Sequence, residues 1–188
     1  MTYQRNKPPY AIALEWTCPC CGQQYDSLPL AYALDQPDAW RALPEAERRH
    51  RGVLGTDTCT IDRDRHFIRG RIVIPVIGGG EFIWGVWAEV EKASFVRFGE
   101  LWDVAVRDRE PPMTGSLAND IPIYLETVGL RCGIRMRNAR KRPSLMIESP
   151  EHLLAAEQRD GISLDRIKAI AARVHAHAGG RTARGAAS

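Results

Sequence analysis

The stretch Cys18-Pro19-Cys20-Cys21-Gly22 has the residue types and spacing best suited to chemistry. Two thiolates separated by two residues, Cys18 and Cys21, with glycine after the second, form a knuckle whose backbone amides can face the sulfurs, as in one half of a zinc ribbon. A structural zinc takes four ligands, and the chain has no second CxxC. Cys59 is the expected third ligand, and folding must bring Cys132, His50 or His66 to the fourth position. The candidate cofactor is therefore zinc at Cys18, Cys21 and Cys59, and the plainer reading is a simple tight turn with partly buried thiols and no cofactor. A redox role fits less well, because the pair does not open a helix whose dipole would lower a thiol pKa.

A second candidate is aromatic. Trp84, Trp87 and Trp102, beside the loop from Glu110 to Asn119, mark the expected pocket. In an extended segment Trp84 and Trp87 point to opposite faces, so a helix, a partner or a ligand must cover one of them. Glu157 and Arg159, in a polar group with His152 and Gln158, complete the expected binding residues, with capping and surface packing as the plainer account. Gly78-Gly79-Gly80 is read as a turn and not a phosphate cradle, since no helix and no Lys-Ser/Thr pair follows it. Arg135, Arg137, Arg140, Lys141 and Arg142 could touch nucleic acid, but they lack interleaved exposed aromatics, and a solvated edge is the simpler reading. No GxSxG, HExxH or comparable pattern occurs, so the sequence leans away from an enzyme.

These residues have to be held by a chain of 188 residues, enough for one domain with a real core. The 44% hydrophobic and 26% charged composition is that of an ordinary globular protein. The longest uncharged apolar-leaning run, Ile72 to Gly80, is far short of the ~20 residues that cross a bilayer. With 26 Lys+Arg against 23 Asp+Glu, the formal charge of +3 would not by itself hold a polyanion at physiological salt. Five cysteines, an odd number without a secretion signal, argue for reduced thiols and a cytoplasmic location.

Residues 1–9 are expected to be flexible, 10–178 to form a single domain and 179–188 to be a disordered tail. Tyr10 to Thr17 reads as a strand, and Asp38 to Arg51 as two short helical turns, the second starting at Pro44. The clearest element is a hairpin. Ile68, Ile72 and Ile74 share a face with Phe82, Trp84 and Val86 across the triple-glycine turn. A turn centred on Gly79 would set Ile74 opposite Trp84 and Arg71 opposite Trp87. Ser94 is the expected N-cap of a helix to about Arg107, and the segment from there to Pro122 reads as an exposed ordered loop. Leu130 to Met136 and Leu145 to Glu148 form a second hairpin, and two helices follow, capped at Ser149 and Ser163. The fold class is α+β: a mainly antiparallel sheet built from β-hairpins, flanked by helices.

Taken in order, these pieces resemble the Domain of Unknown Function 2199 family of uncharacterised bacterial proteins, from about Cys18 to Val174. The resemblance rests on Cys18-x-x-Cys21-Gly22, Leu28-Pro29-Leu30, Glu47-Arg48, Asp57-x-Cys59-x-Ile61-Asp62, Phe67-Ile68-Arg69-Gly70 and Ile74-Pro75-Val76. It continues through Phe82-x-Trp84-Gly85-Val86-Trp87, Leu101-Trp102, Glu110-Pro111-Pro112, Arg142-Pro143 and His152-x-Leu154-Ala155-x-Glu157-Gln158-Arg159-x-Gly161-Ile162. Relatives often carry a histidine a few residues after the second knuckle cysteine, where this chain has Gln23-Gln24-Tyr25. The resemblance implies no activity. The expected function is a small cytoplasmic binding or interaction module with a protein partner, an immunity-type inhibitor being one member of that class. The alternatives are a small-molecule binder or enzyme with a pocket near Trp87, Trp102 and residues 110–119, and a weak nucleic-acid binder through Arg135 to Arg142.

Overall fold

The computed structural model describes residues 11–107 and 109–182. In chain order its elements are β1 Ala11–Thr17, β2 Gln24–Pro29, β3 Ala31–Ala33, α1 Asp38–Ala42, α2 Glu45–Arg51, β4 Gly52–Leu54, β5 Thr58–Ile61, β6 Arg65–Pro75 and β7 Glu81–Val90. There follow α3 Lys92–Leu101, β8 Met113–Leu117, β9 Arg131–Arg135, β10 Ser144–Ile147, α4 Leu153–Asp160 and α5 Leu164–Thr182.

The class is α+β, but the sheet is not an open set of hairpins: five strands close on themselves. β6 pairs with β7 along its length, the far end of β7 pairs with β8, and β8 pairs with β9. β9 pairs with β10, and β10 returns to β6 in parallel through Ser144 and Arg71. β3 adds to β7 in parallel, β5 and β4 extend from β6, and β1 with β2 form a separate two-stranded ribbon. Two glycines permit the closure. A Cβ on Gly70 would meet the Leu145 side chain at 1.9 Å, and one on Gly115 would meet the Glu89 carbonyl at 2.6 Å, so both mark close approaches that a side chain would block.

Face alternation then divides the apolar residues into two cores. Ile68, Ile72, Ile74, Trp84, Val86, Leu117, Ile134 and Leu145 fill the ring, which α4 and α5 close with Leu154, Ile167, Ile170 and Val174. Phe67 and Trp87 point the other way, into a second cluster with Trp40, Leu43, Cys59, Ile61 and Ala118. Each fully buried aliphatic side chain contributes about 1.5–3 kcal/mol, so the larger cluster dominates stability.

Several elements differ from expectation for local reasons. The β6–β7 register is shifted by two residues, with Ile72 opposite Trp84 and Arg69 opposite Trp87, because the turn spans Val76 to Gly80 with all three glycines at positive φ. A shift of two keeps every side chain on its face. Helix α3 starts at Lys92, ahead of Ser94, and ends at Leu101. The expected loop after it contains a ring strand, β8. Helix α4 is capped by His152 and not Ser149: His152 Nδ1 accepts the Leu154 N–H. Ser163 does cap α5, its hydroxyl accepting the Arg166 N–H at 3.2 Å. Helix α5 runs to Thr182, past the expected start of the tail, while residues 1–10 and 183–188 lie outside the described residues.

Candidate functional site

The ribbon ends in the cysteine knuckle. Thr17 pairs with Gln24, the Cys18 N–H donates to the Gln23 carbonyl at 2.9 Å, and the Gly22 N–H donates to the Cys18 carbonyl at 2.8 Å. Gly22 makes this reversal in the left-handed region, φ +71°, where a side chain is disfavoured. The tight loop brings the sulfurs of Cys18, Cys20 and Cys21 within 4.8 Å of one another, with Cys18 buried and the other two exposed. The Cys18 and Cys20 sulfurs are 2.9 Å apart. Burial alone would raise the Cys18 thiol, but hydrogen bonds from Cys20 and Cys21 outweigh it and hold Cys18 below the usual thiol range. Cys20, hydrogen-bonded to Cys18, is pushed up to about 12. A soft cation binding these sulfurs would take the thiolate form and displace the proton held between Cys18 and Cys20. Behind the knuckle, Trp16 stacks on Tyr25 at 5.1 Å, and the His175 ring of α5 lies 5.1 Å from Tyr25. This stack fixes the ribbon to the body of the protein.

Cys59, expected to join Cys18 and Cys21, does not belong to this group; Cys20 does. Cys59 lies on β5 opposite Phe67, packed in the second core, where burial pushes its thiol up to about 12. None of the expected fourth ligands is in the cluster. Cys132 is inside the ring, its thiol likewise raised to about 12 by burial, His66 is buried beside Phe95, and His50 is exposed on α2.

The three tryptophans do not share a pocket. Trp84 is inside the ring, in an aromatic group with Tyr32, Phe82 and Tyr124. Trp87 lies in the second core beneath Trp40, its indole N–H donating to the Leu34 carbonyl at 3.1 Å and its backbone N–H to Asn119 Oδ1 at 2.8 Å. The cover over Trp87 thus comes from the same chain. Trp102 is half-buried under the guanidinium of Arg107, 5.4 Å from its ring. Arg107 is wholly buried and donates to the carbonyls of Leu101, Trp102, Arg137, Asn138 and Lys141, so it fastens the basic segment to the end of α3. Arg140 and Arg142 in that segment are paired with Asp103 and Asp57 at 2.8 and 2.6 Å. The basic segment, read as a solvated edge with nucleic-acid contact as the alternative, is in part neutralised.

Glu157 does meet Trp84's surroundings, through a residue the sequence did not single out. The Tyr124 hydroxyl donates to Glu157, whose other oxygen accepts from Arg166 Nε at 2.7 Å. Arg159 instead pairs with its neighbour Asp160 on the surface. Tyr124 belongs to a loop with two non-glycine residues at positive φ, Ile123 at +85° and Glu126 at +50°. A β-branched residue there is strained. Hydrogen bonds among Asn119, Ile121 and Thr127 brace the loop, as does the one between His152 Nε2 and the Leu125 carbonyl. Between this loop and Arg173 lies a half-open cavity of about 310 Å³.

The fold and this site define an α+β protein built on a closed five-stranded ring that carries a thiol-rich ribbon at one side. The match of a family model over residues 17–162 goes further: the chain belongs to DUF2199, a family described as uncharacterized protein conserved in bacteria. No curated protein and no solved structure matches it. Among the described residues, no helix is long and apolar enough to cross a membrane.

Proposed function

We propose that the protein is a binding module whose β1–β2 ribbon is organised by a thiophilic metal ion, zinc being the first to test, held by Cys18, Cys20 and Cys21. The observation that carries this reading is the mutual approach of three sulfurs within 4.8 Å on a loop fixed by its own backbone. The contrast with Cys59 and Cys132 supports it, since those thiols are raised by burial and sit among apolar side chains. Thiolate ligands favour zinc and other soft ions, and three of them leave a fourth position to solvent or to a group from a partner. The partner is proposed to be another protein. Exposed apolar side chains on the loop and at the start of α4, Leu125, Val128 and Leu153, offer it a surface.

Elemental analysis of the purified chain, paired with a thiol titration before and after chelation, tests the metal. One zinc per chain with three thiols freed by chelator is expected. No bound metal after incubation with zinc, and thiols reactive from the start, would overturn the reading. Failure to recover a stoichiometric protein partner from native cells would count against the interaction role.

A further inference from the structure

The outer face of β6 carries three arginines, and their partners differ sharply. Arg65 makes a two-pronged ion pair with Glu89, both bonds at 2.7 Å. Arg69 is more deeply placed, its side chain only 12% exposed, yet its acceptors are marginal: the Thr56 carbonyl at 3.5 Å and the Asp35 carboxylate at 3.9 Å. Its Nε is buried without a partner. Arg71, two residues on, also has a buried and unpartnered Nε, and its side chain makes no ion pair among the described residues.

A buried guanidinium normally has its hydrogens satisfied, because desolvating an unpaired charge is costly. This chain meets that requirement fully at Arg107, with five carbonyls, and falls short of it at Arg69 and Arg71, as it does elsewhere at Arg166 Nη2, whose Nε is nonetheless paired with Glu157. The surroundings of Arg69 and Arg71 add positive charge. The Arg69 N–H donates to the Asp57 carbonyl and the Arg71 N–H to the Pro143 carbonyl, both at 2.9 Å, which stitches the segments bearing Asp57 and Arg142 onto the same two strand residues. Arg142 uses its Nε on Asp57, leaving three guanidiniums against Asp57 and Asp35. The Trp87 ring, 5.7 Å from the Arg69 guanidinium, forms the floor. Alternate residues on one strand face lie about 7 Å apart, a spacing that two guanidiniums can span by converging on one anionic group.

We propose that Arg69 and Arg71, with Trp87 beneath and Arg142 beside them, form a binding site for an oxyanion group of a small ligand, a phosphate or a carboxylate. Planar guanidiniums recognise both through paired N–H···O bonds. Arg69 and Arg71 supply the donors, and Arg142 supplies field.

The test is a titration of the full-length protein with sodium phosphate and, separately, sodium succinate. Ionic strength is held constant with chloride, and both tryptophan fluorescence and the thermal midpoint are followed. A saturable fluorescence change with a rise in midpoint is expected for at least one probe. Phosphate alone would assign a phosphoryl ligand, succinate alone a carboxylate, and both a general oxyanion site. Arg69→Gln and Arg71→Gln should each weaken binding roughly tenfold or more. Arg65→Gln, whose guanidinium is already taken by Glu89, should leave it unchanged. Absence of saturation with either probe at tens of millimolar would overturn the site, as would equal affinity in Arg71→Gln and the parent. Arg71→Gln carries the test should Arg69→Gln fail to fold.

Discussion

The phenolic hydroxyl of Tyr124 donates to the carboxylate of Glu157, tying a strained loop to helix α4 against the buried ring of Trp84. Burial, and then the bond to Glu157, raises the Tyr124 pKa, so the phenol stays protonated and acts as a donor. Glu157 also holds Arg166. Removing the carboxylate leaves two donors without an acceptor, whereas removing the hydroxyl leaves an intact ion pair. Glu157→Ala should therefore cost about 3–5 kcal/mol, and Tyr124→Phe about 1–3 kcal/mol. Urea unfolding of both variants and the double variant checks this; a Glu157→Ala loss no larger than that of Tyr124→Phe would show that Arg166 is indifferent to its partner.

The knuckle makes a prediction about thiol chemistry. Cys20 and Cys21 are exposed, and Cys18, Cys59 and Cys132 are buried. In metal-free protein a disulfide-exchange reagent should modify the three knuckle thiols quickly, Cys18 lying against exposed Cys20, and Cys59 and Cys132 only on unfolding. Zinc should suppress the fast phase, and Cys18→Ser should abolish that protection while leaving two fast thiols. A fast phase insensitive to zinc would separate the thiols from any metal.

The two faces of the β6–β7 hairpin were legible because the apolar alternation is long and the faces survive a register shift of two. The ring was not. Its closure depends on β8, Met113–Leu117, whose Thr, Gly and Ser follow two prolines and read as loop. What makes it a strand is tertiary: Gly115 lies so close to Glu89 that a Cβ would stand 2.6 Å from its carbonyl. Gly115→Ala should destabilise the protein by about 1–3 kcal/mol or more, read from its chemical unfolding midpoint. At the site, the knuckle was visible in Cys18 and Cys21, because its spacing is local. The exclusion of Cys59 was not, since it follows from the second core that Phe67 and Trp87 build. Arg71 was placed opposite Trp87 from the alternation alone, and only the tertiary packing of Trp87 and the neighbouring loops shows Arg69 and Arg71 poorly paired.

Trp87 owes its burial to the small second core, in which Trp40 from α1 is the largest other side chain. Trp40→Ala should cost about 3–5 kcal/mol and shift tryptophan emission to the red as water reaches Trp87. Proteolysis should then cut within 37–62, the segment that the second core anchors. An unshifted emission maximum would mean that α1 is not what shields the indole.

Stability should also fall at alkaline pH, and the sign follows from the thiols. Cys59 and Cys132 are both raised from 9.0 to about 12, in each case chiefly by burial. Between those values the unfolded chain loses its thiol protons while the folded chain keeps them, so the folded state binds more protons and the free energy of unfolding decreases with pH. The contribution is complete below pH 9 and lost as pH climbs toward 12, with Tyr124, raised from 10.0, adding to the upper part of the window. Urea midpoints measured from pH 7 to 11 should be level at first and then decline. Cys132→Ala, which removes one titrating group while leaving an apolar side chain inside the ring, should lower the plateau but flatten the decline. An alkaline slope unchanged in that variant would mean that Cys132 ionises as readily folded as unfolded, contrary to its burial between β8 and β10.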